Sequence, residues 1–226
     1  MQRDDSWDDS TWLVAGGRPG KPGAPLNTPI VPASNFELGG DLLYARTDTT
    51  PTWTALETVV GGLEGAECVS FSSGMAAISA VFAMLPVGSH VAVPSDCYQA
   101  TEGIAAQGES QGRWTVTRVD TDDTDGWVTT APTADLIWVE SPSNPLLRIA
   151  DLAAIIAAER KPGALLAVDN TFATAVNQRP LDLGADLSVQ SATKFIGGHS
   201  DLLSGVVTTR RTDLVDRLRR NRTLHL

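Results

Sequence analysis

The chain has 226 residues, 42% of them hydrophobic and 19% charged, a balance that can bury one full core. Its net charge of −10 excludes nucleic acid as the main partner, because binding a phosphate backbone needs clustered Lys and Arg. No stretch approaches the roughly 20 apolar residues of a membrane span, so no membrane partner is expected. The opening MQRDDSWDDS is acidic and lacks the apolar run of a secretory leader, and Cys68 and Cys97 are too few for a disulfide framework. The expected location is therefore cytoplasmic, with both thiols reduced.

Residues 1–40 are rich in Gly, Pro, Asp and Asn and include GGRPGKPGAP at 16–25, which predicts an extended N-terminal arm. A helix is predicted over 54–63, then a strand at Cys68–Phe71 and a helix over 74–84. The strand His90–Pro94 leads to a helix over 98–107 and the strand Trp114–Val119. Thr121–Asp125 reads as a turn. The strand Leu136–Glu140 precedes a helix over 151–160, and strands follow at Leu165–Asp169, Leu187–Gln190 and Val206–Thr208. The last predicted helix covers 212–222, with Asp213 at its start. The basic residues Arg210, Arg211, Arg217, Arg219, Arg220 and Arg222 cluster here, and they read as a dipole-compensating, solvated face. Strands alternating with helices predict an α/β fold, a mainly parallel sheet sandwiched by helices. Active residues of such folds gather beyond the carboxyl ends of the strands.

Several strand ends carry chemistry. The chain has only Lys21, Lys161 and Lys194, and the first two lie in loops beside Pro. Lys194 follows a strand and is flanked by Thr193, Phe195 and Ile196, which predicts a partly buried amine. Burial lowers a lysine pKa, and a neutral amine attacks carbonyls. The alternative is an ordinary lysine with its head in water. Asp169 closes an apolar strand, a place suited to holding a ring nitrogen protonated or, equally, to forming a turn. Gly74 and Met75 open a helix whose free N–H groups suit a phosphate, or simply a capped start. Asn144, between two prolines in Glu140-Ser-Pro-Ser-Asn-Pro145, is placed to bond a phenolic oxygen or a carboxylate. Tyr98, just after a strand, suits stacking on a flat ring.

Taken together these segments resemble the Cys/Met-metabolism (trans-sulfuration) family of pyridoxal-phosphate enzymes, from about Asn27 onward. SATKFIGGHSDLLSGVV (191–207), ESPSNPLLRIAD (140–151) and VDNTFAT (168–174) carry the likeness. The resemblance implies the large domain of the PLP-dependent transferase fold type I, with pyridoxal 5'-phosphate as cofactor and a small amino acid as substrate. By position it makes Lys194 the lysine that carries the cofactor and shuttles protons. Asp169 becomes the partner of the ring nitrogen, Tyr98 the stacking residue, and Asn144 a contact of the ring oxygen and the substrate carboxylate. Gly74, Met75, Ser191 and Thr193 hold the phosphate, and Thr171 belongs to the same cofactor-binding set. Tyr44-Ala-Arg46 resembles a Tyr-Ser-Arg motif that reaches the phosphate of a neighbouring subunit, which implies a homo-oligomer with shared active sites, a dimer or tetramer.

The same resemblance divides the chain into an arm (1–40), a cofactor-binding large domain (41–211) and the start of a helix (212–226). That helix leads to a C-terminal domain outside this chain, which carries the arginine that anchors the substrate carboxylate. Two departures stand out. Asp48-Thr-Thr-Pro51-Thr-Trp53 replaces Gly-Asn-Pro-Thr-Arg, and Gln99-Ala-Thr101 replaces Gly-Gly-Thr without the cysteine typical of methionine γ-lyases. Cys97 reads as a buried thiol. The expected activity is cystathionine γ-lyase, with cystathionine γ-synthase or O-acylhomoserine sulfhydrylase as the γ-replacement alternatives. A truncated, non-catalytic subunit is the alternative of another class.

Overall fold

The computed structural model describes residues 6–225, so residues 1–5 and Leu226 lie outside the described residues. A seven-stranded sheet forms the centre. Its strands are β1 (Glu67–Phe71), β2 (Ser89–Pro94), β3 (Trp114–Val119), β4 (Leu136–Glu140), β5 (Leu165–Asp169), β6 (Leu187–Gln190) and β7 (Gly205–Thr209), in the order β1-β7-β6-β5-β4-β2-β3. Only β7 runs antiparallel to its neighbours, β1 and β6. Every residue of β4, β5 and β6 is buried, which is why these strands read as unbroken apolar runs rather than as alternation.

Ten helices surround the sheet among the described residues: α1 (Asp9–Ala15), α2 (Ala45–Asp48), α3 (Pro51–Glu64), α4 (Gly74–Phe82), α5 (Gln99–Ser110), α6 (Thr124–Thr130), α7 (Leu152–Ala157), α8 (Thr174–Asn177), α9 (Pro180–Leu183) and α10 (Thr212–His225). Successive strand residues point to opposite faces. Leu165 and Ala167 pack with residues of α4, α5 and α10, while Leu166 and Val168 pack with α6, α7 and α9. Helix α3 covers β1 and β7 through Val60, Cys68 and Val206. All seven predicted strands are present, and the sandwich of helices is the predicted one.

Three expectations need correction. The N-terminal arm is not wholly extended. Asp8 caps α1 by accepting from the Thr11 N–H at 2.7 Å, and Trp12 is 0% exposed. Its indole N–H donates to the Val59 carbonyl at 2.8 Å, and Gly62 leaves the space that the ring fills. Second, the turn at Thr121–Asp125 ends early, because the Asp123 carboxylate accepts from Gly126 N–H at 2.9 Å and starts α6, which buries Trp127. Third, the basic cluster is not all solvated. Arg222 is only 6% exposed and pairs with Glu57 at 2.7 Å, with its guanidinium over the Trp53 ring. Helix boundaries shift as well: Thr50 caps α3 and Pro51 sits at its first turn, so this helix starts ahead of residue 54. Helix α7 stops at Ala157, and Arg160 then pairs with Asp186 at 2.8 Å.

The strand polarity gathers the chemistry at one edge. The carboxyl ends of β1, β2, β4, β5 and β6 lie there with the start of β7. Gly205, at that start, lies so close to the Ser73 carbonyl that a Cβ would overlap it.

Candidate active site

A cavity of 180 Å³ opens at this edge, lined by residues that follow five different strands. One end is the start of α4. The Ser73 hydroxyl accepts from Ala76 N–H at 3.1 Å, and the first-turn N–H groups of Gly74 and Met75 have no partner within the helix. They therefore offer a positive pole to an anion. Gly74 is required by close packing, since a Cβ would sit 2.7 Å from Ser191 Oγ. Ser191 N–H donates to Thr171 Oγ1 at 2.8 Å, which ties the segment after β6 to the segment after β5. Thr193 also lines the cavity, with its hydroxyl donating to the Ser204 carbonyl at 3.1 Å and accepting from Ser204 N–H at 3.0 Å.

Two carboxyls line the same cavity. Asp169, 6% exposed, accepts from Thr171 N–H at 3.0 Å, and burial pushes its carboxyl above the usual carboxylate range. Glu140, 3% exposed, is pushed up to about 8 by burial and then by the charge of Asp169. The two residues are ladder partners on β4 and β5. Glu140 Oε2 accepts from Tyr98 N–H and Oε1 from Asn144 N–H, each at 2.8 Å. Tyr98 and Asn144 both line the cavity and are half-buried.

Lys194 lines the cavity where it opens into a wider cleft, but it is exposed, not partly buried. The chain leaves β6 through a run of turns, so the apolar neighbours of Lys194 do not fold over its amine. Phe195 is 60% exposed and meets Phe172 with ring centroids 6.0 Å apart, forming a rim.

The sequence-predicted residues Gly74, Met75, Tyr98, Asn144, Asp169, Thr171, Ser191, Thr193 and Lys194 thus share one cavity. Tyr44 and Arg46 do not line it. Both are exposed, the Arg46 guanidinium lies 5.5 Å from the Tyr44 ring centre, and Arg46 borders a separate hollow with Trp53, Ser72 and Arg222. The altered stretch before α3 passes through Thr49 at φ 129°, and the Asp48 side chain lies outside what is described. Cys97 is buried beside Tyr98, and burial lifts its thiol to about 12, too high for a nucleophile. Glu140 escaped the sequence reading as a functional residue. Its signal was a lone acid closing an apolar strand, the same signal that marked Asp169. No helix among the described residues is long and apolar enough to cross a membrane.

The family model described as "Cys/Met metabolism PLP-dependent enzyme" matches residues 26–224. The chain belongs to the Cys/Met-metabolism family of PLP-dependent enzymes. Members of this family are PLP-dependent lyases and transferases. The chain is 43% identical over 183 residues to the cystathionine β-lyase of Bacillus subtilis, covering 80% of this chain and 47% of that protein. It is 43% identical over 213 residues to the cystathionine γ-synthase of Mycobacterium tuberculosis, covering 89% and 54%. The crystal structure of cystathionine γ-lyase from Lactobacillus plantarum, complexed with L-serine, superposes with a TM-score of 0.87 at 35% identity, over 96% of this chain and 58% of that one. The chain spans about half the length of the curated relatives it matches.

The cavity fits pyridoxal phosphate. An anion pole at the start of α4, a buried carboxyl at Asp169, an aromatic side chain at Tyr98 and an amine at Lys194 line one cavity. Groups of these kinds have the chemistry to meet a phosphate, a pyridine nitrogen, an aromatic ring face and an aldehyde.

Proposed function

We propose that the protein is a trans-sulfuration enzyme that breaks a carbon–sulfur bond at Cγ of an amino acid, as a cystathionine γ-lyase. The observation that carries this reading is the meeting of Lys194, Asp169 and the α4 N-terminus in one cavity. Bound there, pyridoxal phosphate supplies the electron sink that makes an amino acid's Cα–H acidic. The first-turn N–H groups of Gly74 and Met75, with Ser191 and Thr193, hold its phosphate. Asp169 keeps the ring nitrogen protonated, and its buried carboxyl gains from a cation beside it. Tyr98 orients the ring, and Asn144 bonds the ring oxygen and the substrate carboxylate. Thr171 fixes the Asp169 carboxylate through its N–H and Ser191 through its hydroxyl.

Lys194 Nζ is the attachment point and then the base. It takes the proton from substrate Cα and delivers protons in the later steps, and its place at the cavity mouth suits a group that must swing. In the lyase reaction, cystathionine and water give cysteine, 2-oxobutanoate and ammonia. The alternative is γ-replacement, in which the sulfur of cysteine or sulfide takes the place of the acyloxy group at Cγ of an O-acylhomoserine, which leaves as the free carboxylate. The near-equal identity to a β-lyase and a γ-synthase keeps that alternative in view.

In the same reading, residues 41–211 form the cofactor-binding large domain and α10 leads out of it. The exposed Tyr44 and Arg46 serve the phosphate of a second copy, so the active enzyme is a homodimer or a tetramer of such dimers. The protein works in the cytoplasm.

Borohydride reduction of the protein with pyridoxal phosphate, followed by peptide mass mapping, tests the reading. The label is expected on Lys194 and absent from Lys194→Ala; a label on Lys21 or Lys161 sinks it. A panel of cystathionine, O-succinylhomoserine and O-acetylhomoserine with cysteine, and methionine then separates the chemistries. 2-Oxobutanoate from cystathionine marks a γ-lyase, and pyruvate a β-lyase.

A further inference from the structure

Glu140 stands at the junction of three strand ends. The order β5-β4-β2 places it between Asp169 on one side and the segment leaving β2 on the other. Each of its carboxyl oxygens takes one backbone N–H, Oε2 that of Tyr98 and Oε1 that of Asn144, both at 2.8 Å. Its burial makes both bonds expensive to lose, since an unpaired N–H in this setting recovers no water. Two loops of separate origin, one leaving β2 and one leaving β4, are thereby fixed to a single side chain. One loop carries the ring-facing tyrosine, and the other carries the asparagine.

We propose that Glu140 is a positioning residue for the cofactor, a clamp that sets Tyr98 and Asn144 in fixed relation to each other and to Asp169. The inference rests on the pyridoxal-phosphate reading above. A carboxyl suits this place because it offers two acceptor oxygens, whereas an amide offers one. Protonation does not undo the clamp, because a hydroxyl oxygen still accepts. The requirement is therefore for the shape and acceptor capacity of the carboxyl and not for its charge.

Glu140→Gln is the test. It preserves size but replaces one acceptor by an NH₂ group that faces an N–H donor. The dissociation constant for pyridoxal phosphate is expected to rise about tenfold, the effect of one lost bond to a buried carboxyl. The visible circular dichroism of the bound cofactor, which reports the fixed orientation of its ring, is expected to fall. Hydrogen exchange should show the Tyr98 or the Asn144 amide losing protection. Glu64→Gln serves as control: it alters another buried carboxyl on α3 that does not line the cavity, and its affinity and dichroism should match wild type. A wild-type dissociation constant or a wild-type dichroic band in Glu140→Gln overturns the proposal. Failure of the wild-type protein to take up pyridoxal phosphate on Lys194 overturns the functional reading and this inference with it. Uptake on Lys194 with an unaltered Glu140→Gln variant overturns this inference alone.

Discussion

Glu140 and Asp169 are direct partners on neighbouring parallel strands, and both carboxyls are buried. Charge on one such acid, in a site that burial already makes unfavourable for ions, holds the proton on the other. Burial and the charge of Asp169 lift Glu140 from 4.5 to about 8. A folded-state carboxyl that holds its proton more tightly than the unfolded chain opposes folding once the unfolded chain ionises. Stability is thus expected to fall as pH rises from about 4.5 to about 8 and to level off above that. Asp169→Asn removes one charge of the pair. It should lower the Glu140 pKa, read by carboxyl NMR, and flatten the pH dependence of the urea midpoint. An unchanged Glu140 titration would show that the two carboxyls do not interact.

Glu64 makes a second, independent contribution to the same slope. Its Oε1 accepts from Ser188 Oγ at 2.8 Å and Gln190 Nε2 at 3.2 Å, while the buried Oε2 has no hydrogen-bond partner. Burial raises its pKa from 4.5 to about 7, partly offset by the Ser188 bond. Below pH 4.5 the group is neutral in both states and costs nothing. From there to about pH 7 its ionisation in the unfolded chain costs the fold on the order of 3 kcal/mol. Glu64→Gln keeps the carbonyl oxygen for both donors and carries no charge. Chemical denaturation should therefore find the variant more stable than wild type at pH 8 and equal to it at pH 4. A stabilisation that does not vary with pH would rule out ionisation of Glu64 as its source.

The legible parts of the sequence were those where a local pattern has a single physical meaning. β4 and β5 are buried on both faces, so their apolar runs marked them, and Asp169 stood out as the acid that ended one. Glu140 ended the other, but its importance depends on β2 lying next to β4, a fact of topology that no local window holds. Which of the two readings of Lys194 holds, a partly buried amine or one with its head in water, is beyond a local window for a related reason. Thr193, Phe195 and Ile196 suggested a cover for the amine, but the turns after β6 send Phe195 outward to meet Phe172. Helix α1, just ahead of the Gly- and Pro-rich run at 16–25, shows no helical signature in the sequence, because its stability comes from one capping aspartate and one buried tryptophan and not from any repeating apolar face.

That tryptophan gives a direct measure of how firmly the arm is docked. Trp12 packs with Leu63 and Ala175, donates to the Val59 carbonyl and lies against Gly62. Trp12→Ala is expected to destabilise the protein by about 3–5 kcal/mol, the range for a fully buried large aromatic. The urea midpoint measures this, and a loss below about 1 kcal/mol, typical of exposed positions, would mean that the arm is not held against α3.

Gly74 tests the anion pole without touching a charged group. An added Cβ would meet Ser191 Cβ and Oγ, each at 2.7 Å, and neither of those atoms is the end of a long, flexible side chain. Ser191 is itself held through its N–H to Thr171, so relief of the clash must shift either the start of α4 or the segment that leads to Lys194. Gly74→Ala is therefore expected to cost about 1–3 kcal/mol by overpacking. Its effect on ligand binding should exceed that, because the N–H groups that form the pole move with the helix start. Titration with pyridoxal phosphate and with pyridoxal separates the two effects. The variant should lose most of the preference for the phosphorylated form, while binding pyridoxal nearly as wild type does. Equal weakening of both ligands would locate the phosphate elsewhere than at the start of α4.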